Sequence, residues 1–313
     1  AGTDEIFAAA KRNTPKWQTG PMIYDANGKL RYYRPMSGAD GTFDFRAQTY
    51  EGKPVITWFQ GKLLRGFGEG QGMIFDQNYK QVAVVKAGNG KKMDLHEFKI
   101  TPQGTALILA YQVQKGDTRS RRGGRKNGLI HDNFVQEVDI KTGKVLMEWD
   151  AGKDIKLTES YNTIPEDKAI PFDYMHMNAV NLTQDGNIVV SARATHAYYK
   201  INRATGKLIW RMGGRKSDFK MGKGSRTRFQ HDVHQVDATT WSAYDNNGDA
   251  PVKGLQSRGV LLTVDEQAMT VTLKKAFTHP SRILAVSQGN MQTLANGHEF
   301  IGWGGDAQNL TEF

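Results

Sequence analysis

Residues 176–193, HMNAVNLTQDGNIVVSAR, and residues 198–212, YYKINRATGKLIWRM, read as two consecutive β-hairpins and decide the fold. In each, alternating apolar residues flank a polar turn that contains glycine, as tight hairpins require. The turn of the second hairpin opens with an Asp or Asn that recurs along the chain, at Asp25, Asp76, Asp139, Asn202 and Asp265. These positions are 51, 63, 63 and 63 residues apart. Such regular spacing indicates an internal repeat.

The first hairpin recurs as well and alternates with the second. Its copies are FRAQTYEGKPVITW (45–58), HEFKITPQGTALILAY (96–111), HMNAVNLTQDGNIVVSAR (176–193), HDVHQVDATTWSAYD (231–245) and MQTLANGHEFIGW (291–303). Two hairpins make a four-stranded antiparallel unit, and units of about 50–60 residues are typical of propeller blades. The sequence therefore predicts an all-β fold, a β-propeller of four-stranded antiparallel blades, with five units visible. A β-sandwich would show regular short strands without this paired repeat.

The repeat extends over most of the chain. We expect a single β-propeller domain over residues 1–313, with residues 1–20 as an N-terminal extension. Residues 6–11, IFAAAK, are the one stretch that reads as a helical turn. Residues 310–313 resemble the start of a further hairpin that does not continue. The domain is therefore expected to be incomplete at its C-terminus, or to be closed by another segment.

Composition narrows the possible functions. The chain has no cysteine, which excludes disulfides and thiolate chemistry. No apolar run approaches the roughly 18 residues of a membrane span, so we expect no membrane crossing. The sequence opens on AGTDE without a methionine, which is compatible with a processed secretory product and equally with a trimmed chain. We expect a secreted or periplasmic protein.

The net charge of +10 predicts anionic partners. Much of the charge lies in two clusters, at residues 115–126 and 215–228. Both are loops rich in glycine and serine, without the stacking aromatics or the recognition helix that nucleic-acid binding uses. We therefore expect no nucleic-acid partner and expect small anions instead.

Three histidines, His96, His176 and His231, occupy corresponding places in consecutive units. His96 precedes the turn residue Gly104 by 8 positions, and His176 precedes Gly186 by 10. His231 falls at the same place in a unit whose turn lacks glycine. Each would begin the first strand of its unit, on the face that carries the long connections. Because inner strands of successive blades converge, the sequence predicts one anion-handling site.

Arg193 and Asn178 extend this predicted site. Arg193 ends the second strand of the unit that contains His176, and Asn178 lies two residues beyond His176, on the same strand face by the period of two. The corresponding strand ends elsewhere are aromatic, at Trp58, Tyr111, Tyr244 and Trp303. These rings indicate either a wall for an aryl group or packing between blades.

The stretches FDYMHMNAV (172–180), VVSARATHAYYKINRATGKLIWRMGGRKSDF (189–219) and FQHDVH (229–234) resemble the arylsulfotransferase family. The resemblance spans nearly the whole chain and is greatest to the shorter branch, which lacks an N-terminal β-sandwich. Members are propeller enzymes, with six blades expected, that move sulfuryl groups between phenols without a nucleotide donor. The resemblance thus implies no cofactor, with a small-molecule aryl sulfate and a phenol as partners.

By this resemblance His231 of FQHD matches the nucleophilic histidine that becomes transiently sulfated. His96 and His176 match residues that hold the sulfuryl oxygens and exchange protons, and Asn178 and Arg193 match substrate-binding residues. The residue types suit this chemistry, since a neutral imidazole is a nucleophile. Cations and amides stabilise the charge of the transferring group, and a second histidine can act as acid and base. Two displacements at one histidine predict ping-pong kinetics.

Other functions fit parts of the same pattern. Three histidines with an open position resemble catalytic zinc ligation. Arg193 beside a dication would be electrostatically unfavourable, however, and we predict no metal. A non-catalytic propeller that binds sulfated or phenolic ligands, or a protein partner, would present the same residues. A quinone-dependent dehydrogenase would carry a tryptophan-docking pattern that this sequence does not show.

Overall fold

A computed structural model describes residues 5–10, 19–36, 40–248, 254–305 and 309–313. Its helical elements are an α-helix, Ala151–Asp154, and two 3-10 helices, Leu157–Glu159 and Arg193–Thr195. The chain divides into two compact units, residues 1–112 with 134–148 and residues 113–133 with 149–313. Most of the described chain is β-strand.

The first sheet is three-stranded and antiparallel, formed by β1 (Glu5–Ala10), β2 (Gly20–Asp25) and β3 (Leu30–Tyr33). The predicted helical turn at residues 6–11 is wrong, because Ile6 to Ala10 pair with β2, and Lys11 lies outside the described residues. Alanine favours helix, but strand pairing and the packing of Phe7 against an apolar core outweigh that propensity.

Two four-stranded sheets follow in the chain. The first contains β4 (Gly41–Tyr50), β5 (Lys53–Leu64), β6 (Phe67–Asp76) and β7 (Gln81–Val85). The second contains β8 (Lys92–Ile100), β9 (Thr105–Gly116), β10 (Gly128–Asp139) and β11 (Val145–Asp150). In each sheet the strands neighbour one another in chain order, and a single pairing between Gly70 and Met93 links the two sheets.

The remaining strands form two more four-stranded arrays and a three-stranded sheet. A short strand β12 (Phe172–Asp173) pairs with β10, and then come β13 (Met177–Leu182), β14 (Ile188–Ala192), β15 (Ala197–Ile201) and β16 (Leu208–Gly213). A short β17 (Lys220–Met221) adds to the next array, β18 (His231–Gln235), β19 (Thr240–Asp245), β20 (Arg258–Asp265) and β21 (Thr270–Phe277). The last sheet contains β22 (Asn290–Thr293), β23 (Glu299–Gly302) and β24 (Leu310–Glu312).

These sheets confirm the predicted all-β fold built from four-stranded antiparallel blades of the propeller type. Each four-stranded sheet combines one copy of each predicted hairpin. The side-chain oxygen of every predicted turn residue accepts a backbone N–H two or three positions later, at 2.7–3.0 Å. These residues are Asp25, Asp76, Asp139, Asn202 and Asp265. The blade number, the single domain over residues 1–313 and the extension at residues 1–20 stay predictions.

The aromatic residues at the second-strand ends are packing residues. Trp58 packs with Phe45 and Phe75 in one apolar core, and Tyr244 and Trp303 share another. The exposed fraction of Trp58, Tyr244 and Trp303 is 0%. The interpretation of these rings as a wall for an aryl group is therefore wrong. Tyr111 is also buried, against Phe67 at a ring separation of 5.6 Å.

An irregularity recurs in the first strand of each four-stranded sheet. The pairing shifts register between Phe43 and Arg46, Met93 and Phe98, Met177 and Ala179, and His231 and His234. Three residues at or beside these shifts, Asp44, His176 and Asp232, have left-handed backbone with φ of 53°, 52° and 55°. Bulges of this kind redirect side chains beside functional sites. All three candidate histidines lie at or next to such a bulge.

Candidate active site

His231 is the first residue of β18, and its imidazole is buried. Its Nδ1 lies 2.7 Å from Oδ1 of Asn246, and its Nε2 lies 3.2 Å from the backbone N of Gln288. The Asn246 amide nitrogen donates to the carbonyls of Ala285 and Gln288, at 2.7 and 3.0 Å. The amide oxygen must therefore face the ring. It follows that Nδ1 carries the proton and Nε2 keeps its lone pair, which accepts the Gln288 N–H.

His176 immediately precedes β13, and its Nδ1 lies 2.5 Å from Oδ2 of Asp173. Burial raises the pKa of the Asp173 carboxyl. The charge and hydrogen bond of His176, followed by the charges of His131 and Arg193, outweigh burial and leave that pKa below its ordinary value. The carboxylate is thus ionised at neutral pH. It orients the imidazole through Nδ1, so proton exchange would occur at Nε2.

Arg193 directly follows β14 and begins a 3-10 helix. Its backbone N–H donates to the His176 carbonyl at 2.9 Å. Its guanidinium lies 4.6 Å from the centroid of the Phe229 ring and donates to the carbonyl of Val286 at 3.1 Å. Backbone and side chain of Arg193 therefore connect His176 to the segment that also contacts His231.

Asn178 is hydrogen-bonded to the residue that precedes β18. Its amide nitrogen donates to the carbonyl of Gln230 at 2.8 Å, and Gln230 is the residue before His231. The prediction of a shared face for His176 and Asn178 rested on strict strand alternation. Because His176 has left-handed backbone and the register shifts after Met177, that alternation is interrupted. The two side chains have different protein partners, Asp173 and Gln230.

Sequence reasoning missed residues 285–288, which contribute mainly backbone groups. The Ala285 and Val286 carbonyls accept from Asn246 and Arg193, and the Gln288 N–H reaches His231. The next residue, Gly289, has a φ of 98°, and a Cβ there would lie 2.2 Å from the Tyr244 ring. Backbone donors and acceptors leave no side-chain motif, so no sequence signal marks this segment.

Sequence reasoning also missed Asn246 and Asp173. Asn246 directly follows β19 as Arg193 follows β14, so repeat alignment could have found it. The alignment placed Tyr244 there instead, because the turn of that unit lacks the glycine that fixes the register. Asp173 lies three residues before His176 in FDYMH, and in the fold it pairs with His131 of β10.

His96 lies in the first of the two compact units. It is the fifth residue of β8, so the prediction that it begins its strand is wrong. It does lie within the register shift between Met93 and Phe98. Its Nδ1 is hydrogen-bonded to Asp94, whose other oxygen accepts the Gly68 N–H at 2.9 Å. His96 and His176 are thus alike in that Nδ1 of each is hydrogen-bonded to an aspartate side chain. Its convergence with the other two histidines stays a prediction.

Within the described residues, no group of three or more histidine, cysteine, aspartate or glutamate side chains has an arrangement that could hold a metal ion. In the same part of the chain, no helix has both the length and the apolar character that crossing a membrane requires.

A family model for arylsulfotransferases (ASST) matches residues 46–313. The chain belongs to the arylsulfotransferase family. The match confirms the resemblance seen in the sequence motifs. It contains every candidate residue, His96, His176, Asn178, Arg193 and His231. At the level of the family, it supports a sulfotransferase enzyme that acts on small aryl substrates.

Several solved structures are similar to this chain at low sequence identity. A protein of unknown function from Bacteroides caccae has a TM-score of 0.57 at 13% identity, covering 100% of this chain and 90% of that one. Kuenenia stuttgartiensis hydrazine synthase has a TM-score of 0.52 at 11% identity, covering 95% of this chain and 79% of that one. A catalytically inactive virginiamycin B lyase from Staphylococcus aureus, with quinupristin, has a TM-score of 0.48 at 9% identity, covering 99% of this chain and 88% of that one. The first two similarities show the fold alone. No curated protein sequence matches the chain.

Proposed function

We propose that this arylsulfotransferase moves a sulfuryl group from an aryl sulfate to a phenol through a sulfohistidine at Nε2 of His231. The supporting observation is the hydrogen bonding of Asn246, whose amide orientation assigns the ring proton to Nδ1. A neutral imidazole with its lone pair on Nε2 is a competent nucleophile for sulfur.

In the first displacement, Nε2 of His231 attacks the sulfur of the aryl sulfate. The ester bond between sulfur and the aryl oxygen breaks, and its electron pair leaves with the phenolate. Nδ1 keeps its proton, and the Asn246 oxygen at 2.7 Å stabilises the positive ring. His176, held through Nδ1 by Asp173, gives a proton to the leaving phenolate. The acid–base role of His96 stays a prediction.

The backbone N–H of Gln288 occupies the Nε2 lone pair at 3.2 Å and must turn away before attack. Once the sulfuryl group is on Nε2, this N–H, the Arg193 guanidinium and the Asn178 amide are the donors proposed for its oxygens. The second displacement reverses the first. The acceptor oxygen attacks sulfur, its proton goes to His176, and the bond between Nε2 and sulfur breaks to restore the lone pair.

Mass spectrometry of the His231 peptide tests this proposal. Incubation with para-nitrophenyl sulfate alone should add one sulfuryl group to that peptide, and addition of phenol should remove it. His231→Asn should abolish the label. His234→Asn is the matched control, because His234 lies in the same strand and is paired with Asp232 at 2.8 Å. If the folded wild-type protein is neither labelled nor transfers sulfate, the proposal fails and a non-catalytic binding propeller is favoured.

A further inference from the structure

Three rings lie in a row within the second compact unit, and a guanidinium group lies at each end of the row. Cζ of Arg215 lies 4.1 Å from the centroid of the Tyr161 ring. Tyr161 stacks on the His196 imidazole at 3.8 Å, with 7° between the planes. His196 meets Phe229 edge-on at 4.3 Å, and Arg193 covers Phe229 at 4.6 Å. We call these five residues the arginine–aromatic row.

Positive charge collects around this row, where Arg228, Arg193 and Arg215 all act on His196. Among the described residues, neither Arg215 nor Arg228, which directly precedes Phe229, forms an ion pair. The guanidinium of Arg121 donates to the Asn162 carbonyl at 2.6 Å. Burial and then the charge of Arg215 lower the pKa of the Arg121 guanidinium. Like charges held together in this way attract an anion.

His196 is uncharged and lies between Tyr161 and Phe229 at the centre of the row. Only 8% of the residue is exposed, and in the described structure its Nε2 is buried without a hydrogen-bond partner. Burial, followed by the charges of Arg228, Arg193 and Arg215, lowers the pKa of His196 to about 3. An unpartnered buried polar atom is costly. Within the described residues, no hydrogen bond offsets that cost at Nε2 of His196.

The Arg215 guanidinium lies over the Tyr161 ring. Its N–H donors are available for a ligand, since Arg215 is exposed and has no carboxylate partner in the described chain. A guanidinium edge matches the geometry of a carboxylate, sulfate or phosphate and binds it with paired hydrogen bonds. The chemistry of this edge therefore suits an anionic group.

We propose that the arginine–aromatic row binds a second anionic group of the substrate. The preferred aryl sulfates or phenols would then carry an additional carboxylate, sulfate or phosphate. Arg193 holds the reacting sulfuryl group at one end of the row, while Arg215, assisted by Arg228, binds the second anion at the other. This inference rests on the proposed function, because it takes Arg193 as a sulfuryl ligand.

Binding of unreactive aryl sulfonates tests the inference by calorimetry. The probes are naphthalene monosulfonate and disulfonate, and para-biphenyl monosulfonate and disulfonate, in which sulfur is bonded to carbon and cannot transfer. We expect at least one disulfonate to bind about tenfold more tightly than its monosulfonate, equivalent to about 1.4 kcal/mol. Arg215→Ala should abolish that preference, because it weakens disulfonate binding more than monosulfonate binding. Lys223→Ala, which removes a positive charge from the same loop, should keep the preference.

Equal affinity for mono- and disulfonates in both series would overturn the inference. So would a preference that persists in the Arg215→Ala, Arg228→Ala double variant. The probes do not react, so their binding is independent of the sulfohistidine label on His231. A labelled protein without the preference contradicts this inference alone. A protein with the preference but without the label contradicts the transfer chemistry and supports recognition of the second anion.

Discussion

Replacement of Asn246 tests whether this residue sets the tautomer of His231 on which the proposed attack depends. Asn246 is 0% exposed, and its side chain makes three hydrogen bonds, to the His231 ring and to the carbonyls of Ala285 and Gln288. Asn246→Ala removes all three. The His231 imidazole can then adopt either tautomer, and residues 285–288 lose their contacts with this side chain.

Both stability and catalysis should decrease. Three buried neutral hydrogen bonds contribute about 1 kcal/mol each, and partners left unpaired add to the loss. We therefore expect the free energy of unfolding to fall by about 3–5 kcal/mol. Loss of the partner that fixes a histidine tautomer typically costs about 10–100-fold in activity. We expect His231 labelling in the Asn246→Ala variant to be slower by about 100-fold.

The assay is single-turnover labelling of the His231 peptide from para-nitrophenyl sulfate, at a temperature where circular dichroism shows the variant folded. Asn181→Ala is the matched control. Asn181 is a buried asparagine of the same unit, and its amide donates to the Val233 carbonyl at 2.8 Å. This control should lose about 1–2 kcal/mol of stability and label at the wild-type rate.

If folded Asn246→Ala is labelled as fast as Asn181→Ala, then Asn246 does not set the tautomer, and the assignment of Nε2 as the nucleophile loses its support. Asn246→Asp provides a second comparison. A carboxylate still accepts from Nδ1 but cannot donate to the two carbonyls. That variant should therefore be less stable than wild type and be labelled faster than Asn246→Ala.

Three further predictions concern residues around His231. Asp173→Asn removes the charge that orients His176, so labelling from phenyl sulfate should slow by about 10–100-fold, and less from para-nitrophenyl sulfate, whose leaving group needs little protonation. The folded-state pKa of His196, about 3, lies below the ordinary 6.5. Between these values the unfolded chain therefore binds one more proton than the folded chain. The free energy of unfolding decreases as the pH is lowered through this window, by up to about 1.4 kcal/mol per pH unit. His196→Phe should flatten this dependence in denaturant titrations at several pH values. Gly289→Ala places a Cβ 2.2 Å from the Tyr244 ring at a φ of 98°, and should lower the unfolding free energy by about 1–3 kcal/mol and slow labelling in parallel.

Each of these three predictions has an outcome that would contradict it. Equal slowing with both donors would show that Asp173 does not act through proton transfer. A His196→Phe protein with the wild-type pH dependence would show that His196 is not the group titrating. A stable Gly289→Ala variant with normal labelling would show that the position of residues 285–288 does not govern His231.

The fold class could be predicted from the sequence because its signals are local. A hairpin turn depends on a few adjacent residues, and the Asp and Asn side chains that open the turns cap them within two or three positions. Strand alternation likewise needs only near neighbours. The helical turn predicted at residues 6–11 failed for the complementary reason. Pairing of β1 with β2 is a tertiary contact that overrides alanine propensity.

The family and its candidate residues were also accessible from sequence, since the repeat places His176, Arg193 and His231 at comparable strand ends. The directions in which their side chains point could not be predicted from the sequence. Bulges with left-handed backbone at His176 and Asp232 interrupt the alternation on which side-chain direction was argued. A bulge depends on how two strands pair, and single-strand patterns do not reveal it.

Only the tertiary structure decided which groups surround His231. Asn246 and the backbone of residues 285–288 meet His231 from distant parts of the chain. The sequence predicted no stacking aromatics for the basic loop at residues 215–228, yet Tyr161 from another loop lies under Arg215 and stacks on His196. By itself the sequence determined the blades, their turns and the candidate residues, because these follow from short-range patterns. The tautomer of His231 and the arginine–aromatic row depend on backbone groups and side chains that only long-range packing brings together.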